Sequence, residues 1–476
     1  MALVAVSPAP GQQPLTLTAC RLDDPAKVSV VLAECGELSV PENPAAPNGQ
    51  RIRLRIARVP AINRHKQPDP LFVLAGGPGM AATTFYASAA FAFERIHRDR
   101  DLVLVDQRGT GSSNPLNCAL GDDDLYRANE VAADAQRCLA TLAKKAHVEF
   151  YTTSVAVRDL DTVRAALGYE RINLYGVSYG TRVAQHYMRR FADHTRSVIL
   201  DGIVPPQLAL GPAMAPNAEQ ALTRIFARCS RDVECGRHFG DPATAYHTLR
   251  SSLKSHPVRV SLPDPTSGES SKFDFTEYHL ATVLRLGSYT AEQAALLPLL
   301  LHSATQSADF MPLASQFLLV NRSYGEVVAY GMHNSVVCSE DVPFWDRAKI
   351  NLTELEKTYL GAAQVNGLQN ICSVWPRGPV DADFHAPLQT DVPVLLLSGS
   401  DDPVTPPSDG EEARRGFSHS LHIVLNGFGH GQLTAPCVDR VMANFIGRGG
   451  VEGLDVSCVK NNKPMPFFVT LGGPSP

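Results

Sequence analysis

The sequence predicts an α/β protein in which one mostly parallel sheet is covered by helices and interrupted by a helical insertion. Short apolar runs alternate with helical stretches up to about residue 205, and the alternation resumes near residue 392. Continuous apolar runs such as 70–77 and 101–109 are typical of parallel strands buried on both faces. We expect a core over residues 1–205 and 386–476, with a helical cap over residues 206–385 between the sixth and seventh core strands.

The individual core elements are predicted from the periodicity of their apolar residues. Residues 51–59 alternate basic and apolar side chains, which is typical of a half-buried strand. Residues 154–167 carry apolar side chains at helical spacing. Further strands are predicted at 70–77, 101–109, 171–176, 197–202, 392–399 and 421–427, and further helices at about 180–192 and 433–446.

Composition and charge limit the possible functions. The 476 residues are 44% hydrophobic and 19% charged, which is ordinary for a globular protein. The net charge of −5, without a long Lys/Arg run, argues against a nucleic-acid-binding protein. The sequence has no run of about 18 apolar residues, so we expect no transmembrane helix. It has neither a CxxC pair nor an HExxH motif, and we expect neither a metal nor an organic cofactor.

The ten cysteines bear on the cellular compartment. An even number favours disulfides, which form in oxidising compartments, whereas the alternative is ten reduced thiols in a cytosolic enzyme. Disulfides would make the protein periplasmic or secreted, and this is our expectation. Because residues 1–14 lack the regions of a signal peptide, we expect the export signal to be absent from this sequence. Pairing of sequence neighbours, the simplest scheme, predicts the disulfides Cys20–Cys35, Cys118–Cys138, Cys229–Cys235, Cys338–Cys372 and Cys437–Cys458.

One motif predicts a nucleophile. Gly176-Val177-Ser178-Tyr179-Gly180 is the only G-x-S-x-G in the chain, and it follows a predicted strand and opens a predicted helix. This context is the one that a nucleophile elbow requires, and the helix N-terminus favours developing negative charge. We therefore expect Ser178 to be a catalytic nucleophile.

A serine nucleophile needs a base and an orienting acid, and both are predicted at the ends of later strands. His430 lies in a glycine-rich loop directly after the strand at 421–427. Asp401 and Asp402 directly follow the strand at 392–399, and spacing alone leaves the choice between them open. The resulting chain order is serine, aspartate, histidine.

An oxyanion hole needs two fixed N–H donors. We expect one to be the main-chain N–H of Tyr179, directly after the nucleophile. The other is expected in the turn Ala75-Gly76-Gly77-Pro78-Gly79, where Pro78 has no N–H and Gly77 is the predicted donor.

These motifs resemble the α/β-hydrolase family of proline iminopeptidases and, more closely, tripeptidyl aminopeptidases. In the family pattern the catalytic aspartate directly precedes Pro-Val-Thr-Pro, which selects Asp402 and implies that the Thr405 hydroxyl supports its carboxylate. The resemblance also implies a helical cap, a C-terminal segment of this kind and an exported protein. Ala75 departs from the histidine that commonly precedes GGPG in proline iminopeptidases. The matching segments are 75–80, 105–118, 176–187, 200–206, Cys338 with 372–376, 395–407 and 427–431.

The resemblance implies hydrolysis of peptides near a free N-terminus. Recognition of an α-ammonium group calls for a carboxylate in the cap, and Glu340 and Asp341 are the main candidates, with Glu219 and Asp274 as weaker ones. An esterase or amidase acting on small substrates is the alternative function, since the same triad serves esters and amides. A non-catalytic binding module on the same fold is a third interpretation, against which the complete triad argues.

Overall fold

A nine-stranded sheet forms the core of the computed structural model, which describes residues 15–118, 131–265, 267–325 and 327–473. The strands found in these residues are numbered in chain order. They are β1 Thr18–Asp23, β2 Val30–Pro41, β3 Arg51–Val59, β4 Leu71–Leu74, β5 Leu102–Val105, β6 Ile172–Val177, β7 Thr195–Asp201, β8 Val258–Pro263, β9 Ser270–Phe275, β10 Val394–Gly399 and β11 Ser420–Leu425.

The order of strands in the sheet is β1-β2-β3-β5-β4-β6-β7-β10-β11. The last six strands of this order pair in parallel, so their carboxyl ends meet at one edge. The first three add an antiparallel extension, of which only β3 is predicted from the sequence. β2 is hard to predict because its first half is an apolar run without alternation, in which Val30 and Leu32 are exposed.

The helices in the described residues fall into a core set and a cap set. The core helices are α1 Ala82–Ala89, α2 Glu94–His97, α3 Val131–Leu142, α4 Thr153–Ala166, α5 Tyr179–Arg190, α16 Pro407–Arg414 and α17 Val438–Arg448. The cap helices are α6 Met214–Arg231, α7 Val233–Phe239, α8 Pro242–Ser255, α9 Glu277–Gly287, α10 Ala291–Ala294, α11 Leu297–Gln306, α12 Met311–Gly325, α13 Tyr330–Glu340, α14 Leu352–Leu355 and α15 Ala363–Val374.

Helices cover both faces of the sheet, as the continuous apolar strands require. On one face α4 and α5 bury residues such as Val163 and Tyr187, and on the other α1 and α17 bury residues such as Tyr86 and Phe445. The central strand β6 is buried along its whole length. This two-sided burial confirms the predicted α/β fold and holds the strand ends rigidly in place.

The chain leaves the sheet after β7 and returns at β10, and the segment between these strands contains the cap helices. The insertion therefore lies between the seventh and eighth strands of the sheet, not between the sixth and seventh. The cap has its own apolar cluster, which includes Ile225, Phe275 and Leu301. It also contains an antiparallel hairpin of β8 and β9, which the sequence pattern does not predict.

The C-terminal segment connects the core to the cap. After α17 the chain reaches the cap, where the Phe467 side chain is buried in the cap cluster. The Arg228 guanidinium lies 4.4 Å from the centre of the Phe467 ring. The Phe468 N–H donates to the Ala295 carbonyl at 3.1 Å. The segment is therefore packed against the cap at several points.

Disulfides join all ten cysteines in the pairing of sequence neighbours. The bridges are Cys20–Cys35, Cys118–Cys138, Cys229–Cys235, Cys338–Cys372 and Cys437–Cys458. Within the described part of the chain no helix is both long and apolar enough to cross a membrane. Residues 1–14, in which we predict no signal peptide, lie outside the described residues.

Candidate active site

Ser178 lies in a tight turn between β6 and α5, with a φ of 55° that is uncommon outside glycine. The turn leaves no space for side chains at the two flanking glycines. A Cβ on Gly176 would lie 2.4 Å from the Gly180 carbonyl oxygen, and one on Gly180 would lie 2.4 Å from the Leu74 carbonyl oxygen. Both positions of the G-x-S-x-G motif therefore require glycine, and the local geometry is that of a nucleophile elbow.

His430 and Asp402 form a hydrogen-bonded pair at the same edge of the sheet. The His430 Nδ1 atom lies 2.8 Å from Asp402 Oδ2. The Thr405 hydroxyl donates to the same carboxylate oxygen at 2.9 Å and lies 3.1 Å from His430 Nδ1. Burial lowers the pKa of His430, but the charge and hydrogen bond of Asp402 outweigh it, so that the pKa lies above its ordinary value.

The two adjacent aspartates have different environments. Asp402 is fully buried, and its Oδ1 accepts the main-chain N–H groups of Val404 and Thr405 at 2.8 and 2.9 Å. Asp401 instead accepts the Ser400 hydroxyl at 2.9 Å and faces the guanidinium groups of two cap residues, Arg224 and Arg228. Only Asp402 is therefore oriented towards the histidine.

Neighbouring strands bring the histidine loop next to the serine. The Ser178 N–H donates to the carbonyl of Asp201, the last residue of β7, at 2.9 Å. A Cβ on the next residue, Gly202, would lie 3.0 Å from His430 Cε1. The imidazole therefore packs directly on the residue that follows the serine's hydrogen-bond acceptor.

The two predicted oxyanion donors lie in the two segments that meet at the nucleophile. Gly77 has a φ of 111° in the turn after β4, where a Cβ would lie 2.7 Å from the Gly79 nitrogen. The preceding Gly76 packs on the serine, since its Cβ would lie 3.1 Å from Ser178 Cβ. Tyr179 is the first residue of α5, where main-chain N–H groups have no partner within the helix.

The two main candidates for binding a substrate amine are paired inside the protein. Asp341 is fully buried and accepts two hydrogen bonds from Arg182, at 2.9 and 3.1 Å. Glu340 is also fully buried and accepts the Thr153 main-chain N–H and hydroxyl at 2.5 and 2.8 Å. The Thr153 hydroxyl also bonds the Tyr179 hydroxyl at 2.6 Å. This geometry gives no support to an amine-binding role for either carboxylate, because internal donors occupy both.

The two weaker candidates lie elsewhere in the cap. Asp274 is on β9 and forms an exposed ion pair with Arg259. Glu219 is a partly buried residue of α6, and its Oε2 accepts the Tyr359 main-chain N–H at 2.8 Å. Among the hydrogen bonds found in the described residues, none reaches Glu219 Oε1, so one oxygen of this carboxylate is open.

The cap adds residues to the site that the sequence does not reveal. The Tyr289 carbonyl accepts the His430 main-chain N–H at 2.6 Å, and its ring packs edge-on against the imidazole at 5.2 Å. The charge of Arg285, on α9, opposes the rise in the pKa of His430. No motif identifies either residue, because their relation to His430 arises only when the cap folds over the sheet. In the described residues no group of three His, Cys, Asp or Glu side chains is arranged to hold a metal ion.

Two family models match this chain. The model described as alpha/beta hydrolase fold matches residues 69–283, and the model described as TAP-like protein matches residues 357–458. The chain is an α/β hydrolase with a TAP-like C-terminal segment. The family resemblance predicted from the sequence motifs is thereby confirmed.

Curated relatives match this α/β hydrolase over most of its length. It is 26% identical to serine protease Hip1 of Mycobacterium tuberculosis, over 94% of this chain and 91% of the relative. It is 25% identical to tripeptidyl aminopeptidase of Streptomyces coelicolor, over 91% of this chain and 84% of the relative. It is 27% identical to carboxylesterase B of Mycobacterium tuberculosis, over 90% of this chain and 86% of the relative.

Proposed function

We propose that this α/β hydrolase is a serine peptidase that cleaves peptide bonds near a free N-terminus through an acyl-enzyme. The observation that carries the proposal is the hydrogen-bonded pair of His430 and Asp402 at the sheet edge where Ser178 occupies its elbow. The relatives named serine protease and tripeptidyl aminopeptidase support a peptide substrate.

In the proposed reaction, Ser178 Oγ attacks the scissile carbonyl carbon while His430 Nε2 accepts the hydroxyl proton. Asp402 keeps the Nδ1–H oriented and stabilises the imidazolium. The N–H groups of Gly77 and Tyr179 bind the developing oxyanion. His430 then gives its proton to the leaving amine, and later accepts a proton from the water that hydrolyses the acyl-enzyme.

The proposed amine ligand is Glu219. Its open Oε1 is the kind of acceptor that an α-ammonium group requires. The charges of Arg285 and Tyr289 act on its partner Tyr359, and the Tyr289 ring packs on His430. We expect Glu219→Gln to raise KM for peptides with a free amine and to leave KM for acetylated esters unchanged. An equal effect on both substrates would exclude this role.

The test of the proposed function compares matched peptide-aminocoumarin substrates of one to three residues, free and N-acetylated. Cleavage that requires the free amine supports an aminopeptidase, and the preferred length reports the size of the cap pocket. The matched control is Ser178→Ala, for which we expect kcat to fall by about 10⁶-fold, as for loss of a triad nucleophile. Turnover by that variant close to the wild-type rate would exclude the mechanism.

An esterase acting on small substrates is the second candidate. The relative named carboxylesterase B favours it, since its identity to this chain equals that of the peptidases within a few per cent. Hydrolysis of small esters without any cleavage of free-amine peptides would select this candidate, with the same three residues acting on the ester carbonyl.

We also propose an exported location, supported by the five disulfides. Non-reducing peptide mapping of protein from its native source is expected to recover all five cross-linked pairs. Ten free thiols in that material would contradict this location.

A further inference from the structure

Asp201 is a buried carboxylate that the triad does not use. It ends β7, the strand between the serine strand β6 and the aspartate strand β10, and its exposure is 0%. Its main-chain carbonyl accepts the Ser178 N–H at 2.9 Å. Its carboxylate accepts the main-chain N–H of Gln432, two residues after His430, at 3.0 Å on Oδ1 and 2.8 Å on Oδ2. One residue therefore bonds both the nucleophile turn and the histidine loop.

Further contacts hold this arrangement in place. The Tyr175 hydroxyl, on the serine strand, donates to Asp201 Oδ2 at 2.8 Å. The Gln432 side-chain amide donates to the Gly429 carbonyl at 2.8 Å, which closes the loop around His430. A carboxylate held by a rigid strand on one side can fix the loop that it binds on the other.

We propose that Asp201 is a positioning residue for the catalytic base, anchoring the main chain of the His430 loop to the strand beside the nucleophile elbow. This inference rests on the triad of the proposed function. His430 must keep Nε2 aligned on Ser178 Oγ through two proton transfers, and a displacement of about 1 Å costs roughly 10²-fold in rate. A buried acid that served stability alone would not affect this alignment.

The groups facing the Asp201 carboxylate are Tyr175, Gln432, His430 and Asp402. Burial raises the pKa of Asp201 to about 6, although hydrogen bonds from Gln432 and Tyr175 oppose the rise. The Asp201 charge in turn raises the pKa of His430. Protonation of Asp201 therefore weakens the loop anchor and also makes the imidazole less basic.

The test replaces the carboxylate by an amide of the same shape. In Asp201→Asn an amide nitrogen, which accepts no hydrogen bond, replaces one carboxylate oxygen. The Gln432 N–H, which donates to both oxygens in the wild type, then keeps only one acceptor. We expect kcat to fall about tenfold or more with KM within about twofold, and the acidic inflection of kcat/KM to move to lower pH. The assay uses a small activated ester, and the rate of fluorophosphonate labelling at Ser178 is measured in parallel.

The matched control is Asp69→Asn. Asp69 is a buried acid just before β4, bonded to Asn173 at the opposite end of β6 and paired with Arg100. We expect this variant to lower the melting temperature without moving the pH profile. Equal losses of kcat in the two variants, or an unchanged kcat in Asp201→Asn, would overturn the positioning role.

A second variant covers the case in which Asp201→Asn does not fold. Tyr175→Phe keeps the shape and removes one donor from the carboxylate, so the pKa of Asp201 is expected to rise further. Loss of this donor also loosens the carboxylate that holds the Gln432 N–H, so kcat at about pH 8 should fall about threefold or more with KM within about twofold. An unchanged kcat would refute the inference. If the wild-type protein itself does not label at Ser178, the proposed function fails instead.

Discussion

Replacement of Asp402 by asparagine is expected to reverse the histidine tautomer, because the structure fixes the direction of the new amide. Two main-chain N–H groups, of Val404 and Thr405, donate to Oδ1, so only an oxygen can occupy that position. The amide nitrogen is therefore forced into the Oδ2 position, 2.8 Å from His430 Nδ1. Nδ1 must then act as acceptor, and the proton moves to Nε2, the atom that has to accept the serine proton.

The expected loss in Asp402→Asn is about 10³- to 10⁴-fold in kcat, because the wrong tautomer removes general-base catalysis. At about 1.4 kcal/mol per factor of ten, this corresponds to about 4–5.5 kcal/mol of transition-state stabilisation. The acidic inflection should also move to lower pH, because Asp402 is what holds the pKa of His430 above its ordinary value.

The control for this prediction is the adjacent Asp401→Asn. Asp401 bonds Ser400 and faces cap arginines, so kcat is expected to stay within a few-fold of wild type. Both variants are assayed on the same activated ester, with circular dichroism to confirm folding. A residual kcat above about one tenth of wild type in Asp402→Asn would refute the tautomer argument, as would an equal loss in Asp401→Asn.

Three further predictions concern groups around the site. Burial raises the pKa of Glu340 from 4.5 to about 7. Between about pH 4.5 and about pH 7 the folded protein therefore holds a proton on Glu340 that the unfolded chain has lost. The free energy of unfolding then falls as the pH rises through this range. Glu340→Gln should therefore reduce the drop in melting temperature between about pH 5 and about pH 8. Thr405→Val removes one donor to Asp402 at constant volume and should lower kcat about tenfold, measured beside a Thr405→Ser variant that retains most activity. Replacing Cys338 and Cys372 by serine opens a link across 34 residues and should cost about 3–4 kcal/mol of unfolding free energy in denaturant titrations.

The proposed triad can be predicted from sequence because each member follows a strand whose apolar run is easy to recognise. Ser178 directly follows β6, and Asp402 and His430 lie in the loops after β10 and β11, within five residues of the strand ends. The carboxyl ends of these parallel strands meet at one edge of the sheet. At these residues the sequence motif and the place at the sheet edge coincide, so the motif alone is sufficient to find them.

Contacts between distant parts of the chain are not predictable in the same way. Glu340 and Asp341 resemble an exposed acidic pair beside a cysteine, yet the partner of Asp341 is Arg182, 159 residues away. Asp201 resembles an ordinary strand end before a glycine, and its partner Gln432 lies 231 residues later. No periodicity or spacing in the sequence identifies such partners. Without the partner, a carboxylate that binds a ligand cannot be told apart from one that is paired inside the protein.

The position of the proposed catalytic base, His430, depends on the core and the cap together. On the core side the His430 loop is bonded through Gln432 to Asp201. On the cap side the His430 main-chain N–H is bonded to the Tyr289 carbonyl at 2.6 Å. Since the same short loop is held at two points two residues apart, a displacement of the cap at Tyr289 would rotate the imidazole about its core anchor. Cap residues that never touch the substrate are therefore expected to affect kcat, whereas residues that only line the pocket are expected to affect KM.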